Sequence, residues 1–125
     1  MKYMLIIYND EAADSSATPE QMKQLFGGYF AFTDEIKKKG FYVSGDPLQP
    51  VSTATTLRQA ARGTAITTDG PYAETKEQIG GYYIVNCPNL DEALGCARQI
   101  CGLHTFSPVS VEVRPIMDMS ATMHG

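Results

Sequence analysis

Residues 67–83 read TTDGPYAETKEQIGGYY, and this stretch decides how the chain is to be folded. It starts and ends in β-forming residues, Thr67-Thr68 and Tyr82-Tyr83, with Gly70-Pro71 and Gly80-Gly81 as punctuation. A plain hairpin needs only about two to five turn residues. The connection here is longer, and it carries Asp69, Glu74, Lys76, Glu77 and Gln78. Acids, a base and an amide between two strands point to a site rather than to a simple reversal.

Upstream, Lys2 to Asn9 reads as a strand, and Asp10 to Ala17 as a small polar loop. Thr18-Pro19-Glu20-Gln21 opens a helix: Thr18 caps, Pro19 fits the first helical position and Gln21 completes a capping box. Met22, Leu25, Phe26, Tyr29, Phe32 and Ile36 keep helical spacing, and Gly40 ends the run. Gly27-Gly28 inside that helix is unfavourable by about 1 kcal/mol per glycine relative to Ala. Close packing on the sheet accounts for the pair better than room for a ligand. Phe41 to Ser44 reads as a short strand broken by Gly45-Asp46-Pro47. Ala54 to Arg58 and Thr64 to Thr68 pair around Gln59 to Gly63.

Downstream, Gly81 to Cys87 is a strong strand. Asn89-Leu90-Asp91-Glu92 caps a second helix with Leu90, Ala93, Leu94, Ala97 and Ile100 on its apolar stripe, and Gly102 stops it. Val109 to Arg114 alternates as a last strand, with Val109, Val111 and Val113 on one face and Ser110, Glu112 and Arg114 on the other. Residues 1–117 form one domain, and Asp118 to Gly125 reads as a loose tail.

Strand, helix, several strands, helix, strand implies an α+β fold. Its expected form is a ferredoxin-like two-layer sandwich: an antiparallel sheet with two helices on one face. The first strand, however, is apolar on both faces, Tyr3, Leu5, Ile7 against Met4, Ile6, Tyr8. The strand after the loop repeats this with Tyr82 and Ile84 against Tyr83 and Val85. Two helices cover only one face, and a large bare apolar face is unusual in a monomer. The expectation is a homodimer packed sheet to sheet.

Composition narrows the function classes. The chain has 125 residues, 43% hydrophobic and 19% charged, with net charge −4 and a pI near 5.0. That is one globular domain, and its acidity argues against nucleic acid as a partner. Lys37-Lys38-Lys39, the basic run, sits where a helix end favours cations. No segment is long enough to cross a membrane as a helix, and Tyr3 to Tyr8 is too short for a secretory leader, so a cytoplasmic protein is expected. Cys87, Cys96 and Cys101 lack zinc or disulfide spacing, and His104 and His124 are isolated, so neither metal nor other cofactor is expected. Nucleophile-elbow, P-loop and dinucleotide-binding patterns are missing.

Asp69 is the candidate catalytic group, since a carboxylate at a strand end can face a cleft as a general base. A turn-forming role for Asp69-Gly70-Pro71 accounts for the same residues equally well. Arg58 and Arg114 could clamp a ligand carboxylate or pair with acids of the fold. Tyr8, Tyr82, Glu74, Lys76, Glu77 and Gln78 complete the candidate substrate-binding set.

The residues from Thr68 to Tyr82 resemble the signature of the DGPF branch of the YCII-related proteins. Lys2 to Glu11, Gly45 to Pro50, Ala54 to Arg58 and Val111 to Ile116 resemble further segments of that family. The resemblance implies a ferredoxin-like fold that dimerises sheet to sheet, in agreement with the two-faced strands; such a dimer leaves a cleft lined by tyrosines, and the expected function is to bind, with or without turnover at Asp69, a small organic molecule there. It does not imply a reaction. Related compact members carry a His–Asp pair with the His near the first helix; Pro19 to Leu25 contains no His, so only the acid at Asp69 carries over. The family also implies an alternative, an accessory or regulatory protein linked to an alternative sigma factor.

Overall fold

The structure is a computed structural model that describes residues 1–120. The part of the expected loose tail beyond Ser120, His124 included, lies outside the described residues. Four strands form the main antiparallel sheet: β1 (Lys2–Asn9), β2 (Tyr42–Pro47), β5 (Gln78–Asn86) and β6 (Val109–Pro115), in the order β2-β5-β1-β6. Helix α2 (Pro19–Lys38) follows β1, and α3 (Leu90–Leu103) follows β5. This is the ferredoxin-like α+β sandwich. Strands β3 (Thr55–Ala61) and β4 (Thr64–Asp69) form a separate two-stranded hairpin inserted between β2 and β5.

The helices start where the sequence places their caps. Thr18 Oγ1 accepts from Gln21 N at 3.1 Å, and Gln21 Oε1 accepts from Thr18 N at 2.9 Å. Asn89 Oδ1 accepts from Glu92 N at 3.0 Å. Each such cap contributes about 1 kcal/mol. Phe32 and Ile36 of α2 and Ala93, Cys96 and Ile100 of α3 are buried against Tyr3, Leu5, Ile7 and Val85, and Leu25 and Ala97 of the same helices are buried as well. Leu5, Ile36, Ile100 and Val85 lie at the centre, fully buried. Burying one such side chain contributes about 1.5–3 kcal/mol. The half-exposed Lys39–Glu35 pair at 3.4 Å contributes a few tenths at most, so the core and not the surface charges holds the layers together.

The opposite sheet face carries Met4, Ile6 and Tyr8 beside Ile84 and Tyr82, all half-buried. Glu112 and Arg114 lie next to Ile6 and Met4 across the β1–β6 ladder.

Three local features differ from the sequence reading. Within the expected loop Asp10–Ala17, a single helical turn forms, α1 (Glu11–Asp14), because Asp10 Oδ1 accepts from Ala13 N at 3.1 Å. Gly45-Asp46-Pro47 continues β2 instead of breaking it; β2 is an edge strand, where Pro47 leaves no ladder partner unmatched. β5 starts at Gln78 instead of Gly81, so Gly80 lies inside the strand rather than before it. The register with β1 slips there, from Ile7↔Gly81 to Tyr8↔Ile79, so Gly80 is the extra residue of a bulge. Gly81 lets β2 approach: a Cβ on it would stand 3.0 Å from the Asp46 carbonyl oxygen and 3.3 Å from Pro47 Cα.

The glycines therefore divide by environment. Gly28 packs against Leu103 of α3, where an added Cβ would meet Cδ2 at 2.7 Å, whereas Gly27 has nothing within 4 Å. Gly27→Ala should stabilise the protein by about 1 kcal/mol, the helix-propensity difference. Gly81→Ala should destabilise it by about 1–3 kcal/mol, because the obstructing atoms are backbone. Urea unfolding of the two variants checks both signs.

Candidate functional site

The Gly70–Glu77 segment leaves the hairpin and returns into β5, and hydrogen bonds pin it at both ends. Gly70 N donates to Ala54 O at 2.7 Å, and Thr56 Oγ1 donates to Gly70 O at 2.7 Å. Arg58 Nη2 donates to Tyr72 O at 3.1 Å, and its guanidinium lies 4.9 Å over the Tyr72 ring. At the other end Thr75 Oγ1 donates to Glu77 O at 2.5 Å, and Gln78 Nε2 donates to Thr75 O at 2.6 Å. Gln78 Oε1 also accepts from Glu11 N at 3.2 Å, which ties the loop to α1.

Facing the loop is the segment Leu48–Ala54, which contains a 3-10 turn, Val51–Thr53. The Glu11 carboxylate holds it by accepting from Val51 N at 3.1 Å, and Leu48 N donates to Gly80 O at 2.8 Å. Between the two walls lies a half-open cleft of about 500 Å³, with Tyr8 and Ile79 contributing from the sheet. Its surface is mostly apolar, from Leu48, Pro50, Val51 and Pro71, with Glu77 and Gln78 as polar points. A neighbouring recess of about 600 Å³ shares Val51, Pro71, Thr75 and Gln78 and adds Glu74. Apolar clefts with a few polar groups are the usual form of small-molecule sites.

The candidate residues are distributed unequally around this cleft. Tyr8, Glu77 and Gln78 line it, and Glu74 lines the adjoining recess. Asp69 ends β4 opposite Thr55; it is exposed and outside both linings, and among the described residues its carboxylate accepts no hydrogen bond. Arg58 braces the loop through Tyr72 rather than lining the cleft, and Lys76 is exposed. Tyr82 lies on the helix-free sheet face, where its hydroxyl donates to Asp46 Oδ2 at 2.8 Å. Arg114 lies on that face 4.0 Å from the Glu112 carboxylate.

Two tyrosines gain acidic partners across strands. The Tyr8 hydroxyl donates to Glu112 Oε1 at 3.0 Å, and this bond holds the phenol above its ordinary pKa. Asp46 does the same for Tyr82. Ser110 Oγ stands 3.5 Å from Glu77 Oε2, so β6 reaches the end of the loop. Sequence reasoning missed the Leu48–Ala54 wall, whose apolar Pro50 and Val51 carry no chemical signature.

A second polar cluster lies on the helix side. The Tyr29 hydroxyl and His104 Nε2 are 2.5 Å apart, while His104 Nδ1 is buried without a partner among the described residues. Asp14 accepts from Asn9 Nδ2 at 2.6 Å and from Ser107 Oγ. Burial pushes the Tyr29 phenol well up and holds His104 below the usual histidine range, with Asp14 opposing the latter shift. Spacing gives no clue to this pair, because Tyr29 and His104 are 75 residues apart. Among the described residues, no group of three or more His, Cys, Asp and Glu side chains could hold a metal ion, and no helix is long and apolar enough to cross a membrane.

The fold and cleft together define a ferredoxin-like α+β protein with a loop-walled pocket beside a helix-free sheet face. The YCII-related domain model matches residues 1–120. An uncharacterized protein of Rhizobium meliloti (strain 1021) is 38% identical over 116 residues, 93% of this chain and 92% of that protein. The chain belongs to the YCII-related family.

The lowered His104 pKa fixes a pH dependence. The unfolded chain takes up this proton near pH 6.5 and the folded one only below that, so the unfolded state binds more protons in between. The His104 contribution to stability is full above about pH 6.5 and declines as pH falls from there through the lowered folded value. His104→Gln should remove that part of the slope. Urea midpoints at pH 7.5, 6.5 and 5.5 for both proteins test it.

Proposed function

We propose that this YCII-related protein binds a small organic molecule in the cleft between the Gly70–Glu77 loop and the Leu48–Ala54 segment, and that it works as a homodimer. The carrying observation is the cleft itself: about 500 Å³, apolar, with its loop wall pinned by side-chain hydrogen bonds. A preformed wall needs little ordering when a ligand enters. Met4, Ile6 and Ile84 supply the reason for a second copy, since their sheet face has no helix over it.

In a catalytic form of this reading, Asp69 moves a proton from the base of the loop. The position of Asp69 outside the cleft lining favours the simpler form, binding without turnover. The carboxylates that do reach the linings are Glu77 and Glu74.

A ligand that binds only the folded protein at 100 times its Kd stabilises it by about 2.7 kcal/mol. A metabolite pool screened by thermal shift should therefore raise Tm for the wild type and for Asp69→Asn. It should leave Ala73→Trp unmoved, since Ala73 lines both recesses and a large side chain there is expected to obstruct them. A ligand that stabilises Ala73→Trp as well binds elsewhere and defeats the assignment. If a substrate emerges and Asp69 is the base, Asp69→Asn should bind it while turnover falls about 10²-fold or more. Light scattering should give twice 13.7 kDa at micromolar concentration, and a monomer mass removes the dimer from the proposal.

A further inference from the structure

We propose that the cleft selects an organic ammonium ion: a small apolar body carrying a positive charge. The inference rests on the cleft being a ligand site and adds the charge of what it takes. Glu77 is the one formally charged residue among those lining the cleft. Tyr8 contributes an aromatic ring to the same lining, Tyr72 a second ring that already carries the Arg58 guanidinium at 4.9 Å on one face, and Leu48 and Ile79 contribute aliphatic surface. Aromatic faces with a carboxylate make a favourable surround for a cation that is partly stripped of water.

Three cations of the neighbourhood, Arg58, Lys76 and Arg114, stay out of the lining, and Lys76, beside Glu77 in the loop, is exposed to solvent. The Arg58 guanidinium is stacked on Tyr72 and bonded to its carbonyl, and Arg114 stands 4.0 Å from Glu112; neither lines the cleft. An anionic ligand in the cleft would meet Glu77 with no opposing charge from the lining. Tyr8 adds to the asymmetry, because its hydroxyl proton is directed to Glu112 Oε1. A ligand carboxylate would have to compete with Glu112 for that donor, whereas an ammonium group would not. The alternative expectation, Arg58 or Arg114 clamping a carboxylate, makes the opposite prediction.

Three probes of similar size separate the cases: 2-phenylethylammonium, 2-phenylethanol and phenylacetate, titrated into the full chain by calorimetry at pH 7. The ammonium should bind about tenfold or more tighter than the alcohol, with phenylacetate weakest. Glu77→Gln should weaken the ammonium about tenfold and leave the alcohol within about twofold, so that the alcohol also reports an intact cleft. Phenylacetate binding as well as the ammonium, or ammonium binding unchanged in Glu77→Gln, overturns the charge inference while leaving the cleft as a site. Failure of all three probes to bind at millimolar concentration overturns both.

Discussion

Strand β1 is the constraint on which the rest of this structure depends. It is paired on both sides to long partners, to β5 from Lys2 to Asn9 with one slip after Ile7 and to β6 from Tyr3 to Asn9. Its Tyr3, Leu5 and Ile7 anchor the core under both helices. Because side chains alternate along a strand, fixing those three inward forces Met4, Ile6 and Tyr8 onto the other face. The second face is thus a consequence of the first. The same geometry brings Tyr8 to the cleft and sets it across from β6, within reach of Glu112.

The cleft is built outward from the end of this strand. Where β1 meets the bulge at Gly80, the ladder slips by one residue and the chain leaves the sheet toward Gln78 and the loop. Gln78 and Glu11 then tie three segments together, since Gln78 bonds the loop and α1 while Glu11 bonds the Leu48–Ala54 wall. The hairpin β3–β4 supplies the outer brace through Thr56 and Arg58. Its own side chains are largely exposed, Leu57 at 65% and Ile66 at 57%. An isolated two-stranded hairpin is marginally stable in water, so its ties at Ala54 and Gly70 matter to its order.

Much of the fold was legible because its signals are local. The Thr18–Gln21 capping box, the Asn89 cap and the Val109–Val113 alternation each report a feature set within a few residues. The features that were not legible depend on distant neighbours. Pro47 can end a strand only because β2 lies at an edge, and Gly81 is required only because Asp46 passes over it. The site divides in the same way. The density of polar groups between Asp69 and Gln78 marked the loop, but its path decides which carboxylates turn inward. Glu77 reaches the cleft and Asp69 does not. The facing wall and the Tyr29–His104 pair arise from long-range packing that spacing alone cannot encode.

The central claim is that ligand recognition belongs to the cleft and not to the helix-side cluster. Backbone amide chemical shifts, followed by NMR while a small-molecule extract is titrated in, test it most directly. The account predicts perturbations confined to Leu48–Ala54, Tyr72–Ile79 and the end of β1 at Tyr8. Perturbations centred instead on Tyr29, His104 and Ser107 would contradict it.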